Sequence, residues 1–163
     1  MTGKKTAEFI SPDRSDTRIA EVYDAFDYLK KLLKIPSYRL MFFLYEGDNP
    51  GVKYERSGHN FTTSENIVGL CWNDQKFIFL NLRLIDDPTE LFFVMLHEMG
   101  HTRFPHLKKH SIETLEWSCD VFATFYLAGL GVIRSDLFRD GDFIKAYERV
   151  TSKYAGREYG GYR

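Results

Sequence analysis

The stretch from Asp87 to Pro105 constrains this chain most, because its local signals agree on one element. Asp87 can accept hydrogen bonds from the first free amides of a helix. Pro88 suits the first helical position, and Glu90 suits the positive end of the helix dipole. Leu91, Phe92, Val94, Met95 and Leu96 follow without a polar break, and Pro105 sets the far limit, so a helix is expected to about Arg103. A helix so apolar around its circumference is a buried one. Its last turn nevertheless carries His97-Glu98-Met99-Gly100-His101.

Two histidines four apart on a helix lie on one face, one turn from each other, as two ligands of a tetrahedral Zn2+ require. Glu98 lies about 100° around the helix from His97. It is badly placed to join that ligand set. It is well placed to reach a water on the metal, take its proton as general base and pass it to a leaving amine.

A third ligand has to come from elsewhere. The metzincin pattern asks for a histidine six residues after the second one, and that position is Leu107. His106 and His110 are at other spacings and read as exposed loop histidines. Downstream, Ser111 can cap a further helix that Gly129 or Gly131 can close. On it, Glu116 and Asp120 share a face. Glu116 can ligate the metal, and Asp120 can accept a hydrogen bond from the non-ligating nitrogen of a metal-bound histidine. Leu115, Cys119, Phe122, Ala123 and Tyr126 make much of this helix apolar, where an unpaired carboxylate would be costly. Glu113, on the same face, is the alternative ligand.

The remaining chain supplies a scaffold. Residues 1–14 are polar and read as a mobile leader. Ile19, Val22, Phe26, Leu29 and Leu33 recur at three- and four-residue steps, so Asp16–Leu33 is expected as an amphipathic helix ended by Pro36. Tyr38–Tyr45 reads as a buried strand, 47–51 as a turn, and 52–65 as an edge strand or a long loop. Asn66–Trp72 and Lys76–Leu82 form the clearest hairpin, turning at Asn73-Asp74. A last helix is expected at Asp140–Lys153. Beyond it lies the Gly- and Tyr-rich tail, residues 155–163, irregular and able to lie in a cleft. The 163 residues suit a single domain. The net charge, 22 − 23 = −1, exerts no global pull on nucleic acid or on an acidic membrane. Cys71 and Cys119 make no disulfide framework, which points to a reducing compartment. No apolar run follows the first residues and none is long enough to span a bilayer, so a cytoplasmic location is expected.

An HExxH helix followed by a Glu-x-x-x-Asp helix resembles the gluzincin arrangement. Within that group, Glu116–Ala123 (E-W-S-C-D-V-F-A) is similar to the ImmA/IrrE pattern E-x-E-A-[DN]-x-F-A, and H-E-M-G-H to that family's H-E-[LIF]-G-H. The lead-in Phe77–Leu82 is also similar, and the resemblance covers about residues 66–128. Ser118 and Cys119 depart from the family's Glu-Ala pair. SprT-like, YgjP-like and minigluzincin proteins are similar in outline. The resemblance implies an α+β, zincin-like domain with a small, mainly antiparallel sheet against the HExxH helix and a second Glu-bearing helix. It implies a zinc metallopeptidase in which His97, His101 and Glu116 hold the metal, Glu98 is catalytic and Asp120 supports a ligand. The partner is a protein or peptide substrate, extended along a sheet edge from Lys76–Leu82 or Asn66–Trp72. Tyr126, Tyr147, Tyr154 and His110 are open as oxyanion donors. The alternatives are a DNA-associated protease of SprT type, which the near-neutral charge disfavours, and a catalytically silent zinc-binding module.

Overall fold

A computed structural model describes residues 3–64, 67–104 and 111–133, with side chains as far as residue 129. The chain is α+β, a five-stranded mixed sheet with three α-helices among the described residues. The elements are β1 (Lys4–Pro12), α1 (Thr17–Leu32), β2 (Arg39–Tyr45), β3 (Tyr54–Ser64), β4 (Gly69–Trp72), β5 (Phe77–Asn81), a 3-10 turn (Leu82–Asp86), α2 (Pro88–Gly100) and α3 (Ile112–Ile133). The sheet order is β3-β1-β2-β5-β4, in which β2 and β5 run parallel and the other three pairings are antiparallel.

The polar leader is not a leader. Residues 4–12 form β1, which pairs with β2 on one side and β3 on the other. The polarity of Lys4, Lys5 and Glu8 masked a strand that sends Ile10 into the cluster under the helices and Ala7 into the cluster on the opposite face. Residues 52–65 resolve in favour of the edge strand, as β3, whose ladder bulges opposite Glu8–Ile10. Gly58 sits in that bulge with φ +78°, and its amide donates to Glu8 Oε2 at 3.0 Å.

The first helix follows its expected bounds. The Asp16 side chain accepts from Arg18 N, and the helix ends before Pro36 in a Schellman turn. There Lys34 takes φ +59° while Ile35 N donates to Lys30 O at 2.8 Å. Ile19, Val22, Phe26 and Leu29 pack into one cluster with Leu40, Phe42 and Leu44 of β2, Ile78 and Leu80 of β5, and the apolar residues of α2. Both helices therefore cover the same sheet face. The opposite face holds a second, aromatic cluster of Phe43, Tyr45 and Phe79, with Phe9 and Phe61 stacked at 4.7 Å.

In α2 the expected start is realised. Asp87 accepts from Glu90 N at 3.2 Å and Pro88 opens the helix. Every residue from Glu90 to Gly100 is buried, because the helix lies between the sheet and α3. Each buried Leu, Phe or Met contributes about 1.5–3 kcal/mol. The helix stops at Gly100, three residues short of the expected Arg103, and His101, Thr102 and Arg103 each donate to the carbonyl three residues back. In α3, Ser111 Oγ accepts from Thr114 N at 3.0 Å, as a cap should. The helix then runs through Gly129 and Gly131 to Ile133, so neither glycine closes it. The helix expected at Asp140–Lys153 and the tail at 155–163 lie outside the described residues. Among the described residues no helix is long and apolar enough to cross a membrane.

Candidate metal centre

The last turn of α2 and the first turns of α3 converge on His97 and His101. Both imidazoles are fully buried, with ring centres 5.2 Å apart. His97 Nε2 lies 2.8 Å from Glu116 Oε2, and His101 Nε2 lies 3.4 Å from Glu116 Oε1. The other nitrogen of His97, Nδ1, lies 2.8 Å from Asp120 Oδ1. One helical turn thus separates the carboxylate that faces both imidazoles from the one that orients the first imidazole from behind. Glu116 and Asp120 retain 23% and 37% side-chain exposure, so the centre opens to solvent on the α3 side.

Glu98, the third carboxylate of this region, is 1% exposed. Its Oε2 is 3.9 Å from His101 Nε2, and its Oε1 is buried with no hydrogen-bond partner among the described residues. Room for it is made by Gly69 of β4. A Cβ at residue 69 would stand 2.7 Å from Val94 Cγ1 and 3.0 Å from both Glu98 Cγ and Glu98 Oε1. Gly100 plays the matching part toward α3, where a Cβ would meet Cys119 Cα at 3.2 Å and Cys119 Sγ at 3.3 Å. The edge strand and the two helices close on the site only because these positions lack side chains.

The electrostatics follow from burial and pairing. Burial works against a charged His97, but the hydrogen bonds to Asp120 and Glu116 outweigh it and push its pKa up to about 9. Burial, joined by the charge of His97, lowers His101 to about 4, which leaves that imidazole neutral with a lone pair to donate. Burial raises Glu98 to about 8, against the attraction of His97. Burial also opposes charge on Glu116, yet the hydrogen bond from His97 and the two imidazoles hold its carboxyl below the usual range. The thiols of Cys71 and Cys119 are pushed up by burial and by the nearby Glu98.

These residues fit a zinc ion. Ligand atoms on a tetrahedral ion with bonds of about 2.0–2.1 Å stand about 3.3 Å apart; His101 Nε2 is 3.4 Å from Glu116 Oε1, and His97 Nε2 need open by only about 0.5 Å from its 2.8 Å hydrogen bond to Glu116 Oε2. Asp120 stands where a carboxylate would hold a metal-bound His97 imidazole in orientation. A second donor set also meets here. One ligand atom each from His97, His101 and Cys119 lies within 4.8 Å of the others, and all three residues are buried.

Of the residues singled out from sequence, His97, Glu98, His101, Glu116 and Asp120 are brought together. Glu113 is exposed in the first turn of α3 and is not among them. Tyr126 is half-buried, its ring against Phe122 at 4.6 Å and Phe125 at 5.5 Å. His106, His110, Tyr147 and Tyr154 lie outside the described residues. Sequence reasoning passed over Cys119 as a donor and Gly69 as the space for Glu98. The signals were present: Cys119 is three residues after Glu116 on one helix, and a lone glycine inside a strand marks a close approach. No family model matches the chain, and neither a curated protein nor a solved structure matches it.

Proposed function

We propose that the protein is a zinc-dependent metallopeptidase of gluzincin type. The observation that carries the reading is the convergence of His97, His101 and Glu116 beside a buried carboxylate, Glu98, whose Oε1 has no hydrogen-bond partner among the described residues. His97, His101 and Glu116 would hold Zn2+. Bound there, the ion would polarise a scissile carbonyl and make water more acidic. Glu98 takes the proton of the attacking water and delivers it to the leaving amine. Its burial keeps that proton from bulk solvent, and Gly69 keeps the carboxyl from being displaced. Asp120 fixes the His97 ring so that Nε2 faces the centre.

The substrate is an extended segment of a peptide or protein. β4 is the sheet edge beside the centre, since among the described strands only β5 flanks it and a Cβ at its Gly69 would meet Glu98 at 3.0 Å. An extended chain paired to β4 would pass the site with its backbone amides satisfied. The resemblance of H-E-M-G-H and of Glu116–Ala123 to the ImmA/IrrE pattern supports a narrow, regulatory cleavage in the cytoplasm. The deciding experiment is elemental analysis combined with a cleavage screen over folded and unfolded proteins. One zinc per chain and cleavage are expected of the native protein, and loss of both in His101→Ala. Full zinc occupancy in His101→Ala would refute the ligand assignment.

A further inference from the structure

Cys119 sits where a ligand would sit. It follows Glu116 by three residues and precedes Asp120, so the α3 face that carries both carboxylates also carries this thiol. Its Sγ lies within 4.8 Å of a ring nitrogen of each of His97 and His101. The helices are brought unusually close at this point, because Gly100 replaces the side chain that would strike the Cys119 backbone and sulfur. An independent sign of a cation in the same pocket is Glu98. One of its oxygens is wholly buried without a hydrogen-bond partner among the described residues, and the other is 3.9 Å from His101 Nε2.

We propose that Cys119 ligates the same ion as His97, His101 and Glu116, so that the resting centre is closed by a thiolate. The inference rests on the metal centre of the preceding section and adds the regulation of that centre. Zinc accepts nitrogen, oxygen and sulfur donors together, and thiolate is the softest of the three. Coordination of the sulfur displaces the thiol proton to solvent, and no oxidant or reductant takes part. Four protein donors fill a tetrahedron, as in structural zinc sites, whereas a catalytic site keeps one position for water. Water or a substrate carbonyl therefore enters only when a protein donor leaves. A cytoplasmic peptidase built this way is latent at rest without a propeptide.

The test reads the metal's ligands rather than turnover. X-ray absorption on the zinc-loaded native protein is expected to show one sulfur at about 2.3 Å beside nitrogen and oxygen at about 2.0–2.2 Å. The cobalt(II)-substituted protein is expected to show a near-ultraviolet sulfur-to-metal band, lost in Cys119→Ser and kept in Cys71→Ser. Acetohydroxamate should shift the cobalt spectrum of Cys119→Ser and leave the native spectrum unchanged. A bound ion with only nitrogen and oxygen neighbours overturns thiolate ligation and leaves the peptidase reading standing. So does a sulfur band that survives in Cys119→Ser. Equal shifts with acetohydroxamate overturn the closure. Failure of the native protein to bind either ion removes the metal centre itself, and both readings fall with it.

Discussion

The two edges of the sheet differ in length, in polarity and in what lies behind them. The β3 edge is eleven residues long, largely exposed and polar, and its bulge is held by Glu8, which accepts from Arg56 and from the Gly58 amide. The β4 edge is four residues long and backs onto α2, with Gly69 and Cys71 buried. Its far end is tied to the candidate metal centre through Asn73, whose Nδ2 donates to the His101 carbonyl at 3.2 Å, while Tyr38 donates to the same Asn73 side chain. A long polar edge with a bulge resists pairing with other chains. A short edge resting on a buried carboxylate is where pairing would have a chemical consequence. On the proposed reading, what lies behind an edge, and not its length, marks where a strand-like partner would dock.

The largest expected difference between the two edges is catalytic. Glu98→Gln should retain zinc and lower cleavage by about 10²–10⁴, the usual cost of losing a general base. Arg56→Gln, which breaks only the Glu8 pair on the far edge, should leave the rate unchanged. Steady-state rates on one identified substrate, with zinc content measured alongside, would separate these. Equal rates for Glu98→Gln and the native protein would remove Glu98 from the mechanism.

The next effect is on affinity. In the proposed centre Asp120 would contribute no ligand atom; it meets His97 Nδ1 from behind at 2.8 Å. Asp120→Ala should weaken zinc binding by about 10–100-fold, the usual size of such a loss. Competition with a chelator would measure it. Unchanged affinity in a folded variant would reduce Asp120 to a solvated residue of α3.

Much of this site was readable without coordinates, and the reasons differ residue by residue. His97, Glu98 and His101 lie within one helical turn, where 3.6-residue geometry alone sets their relative directions. Glu116 and Asp120 share a face by the same rule, but their meeting with α2 depends on how two helices pack. The cost of an unpaired carboxylate on an apolar helix suggested that link, and the likeness to a known pattern supported it. Cys119 was on the same face and was passed over, because an apolar helix explains a buried cysteine without further assumption. In the fold, α1, β2, the β4–β5 hairpin and the start of α2 followed from periodicity and capping. The strand β1 did not. Its Lys4, Lys5 and Glu8 are exposed, and its neighbours in the sheet lie over 30 residues away in the chain, where no local pattern reaches.

The pH dependence of zinc binding sharpens the comparison further. Zinc requires a neutral imidazole, and Asp120 and Glu116 hold a proton on His97 up to about pH 9. The sign follows directly. His97 has its pKa raised, so the proton competes with the metal at every pH below about 9 and stops competing above it. His101, lowered to about 4, does not compete near neutrality. In protein stripped of metal and then titrated with zinc, His97 alone should make the apparent affinity rise about tenfold per pH unit up to about 9. Affinity that stays flat between about pH 6 and 8 would mean His97 is not a ligand.

The smallest effect, and the most direct test of the two-edge picture, compares one glycine on each edge. At Gly69 an added methyl would meet Val94 Cγ1 at 2.7 Å. Val94 is fully buried, and a β-branched side chain has little rotamer freedom, so the methyl cannot be accommodated by Val94 turning aside. The strand or Glu98 must move instead. Gly69→Ala should cost about 1–3 kcal/mol, as overpacking does, and should also lower cleavage where the group displaced is Glu98, the proposed base. At Gly58 an added methyl meets nothing within 4 Å, and the only penalty is the φ of +78°. A left-handed conformation costs a residue with a Cβ about 1–2 kcal/mol, and part of this is offset because alanine is less free than glycine when unfolded. At the size of this chain each 1 kcal/mol lowers Tm by about 2–4 °C. Gly58→Ala should therefore melt a few degrees lower with native zinc affinity and native cleavage. If Gly58→Ala loses activity in proportion to Gly69→Ala, the long edge is coupled to the centre and the division between the two edges fails.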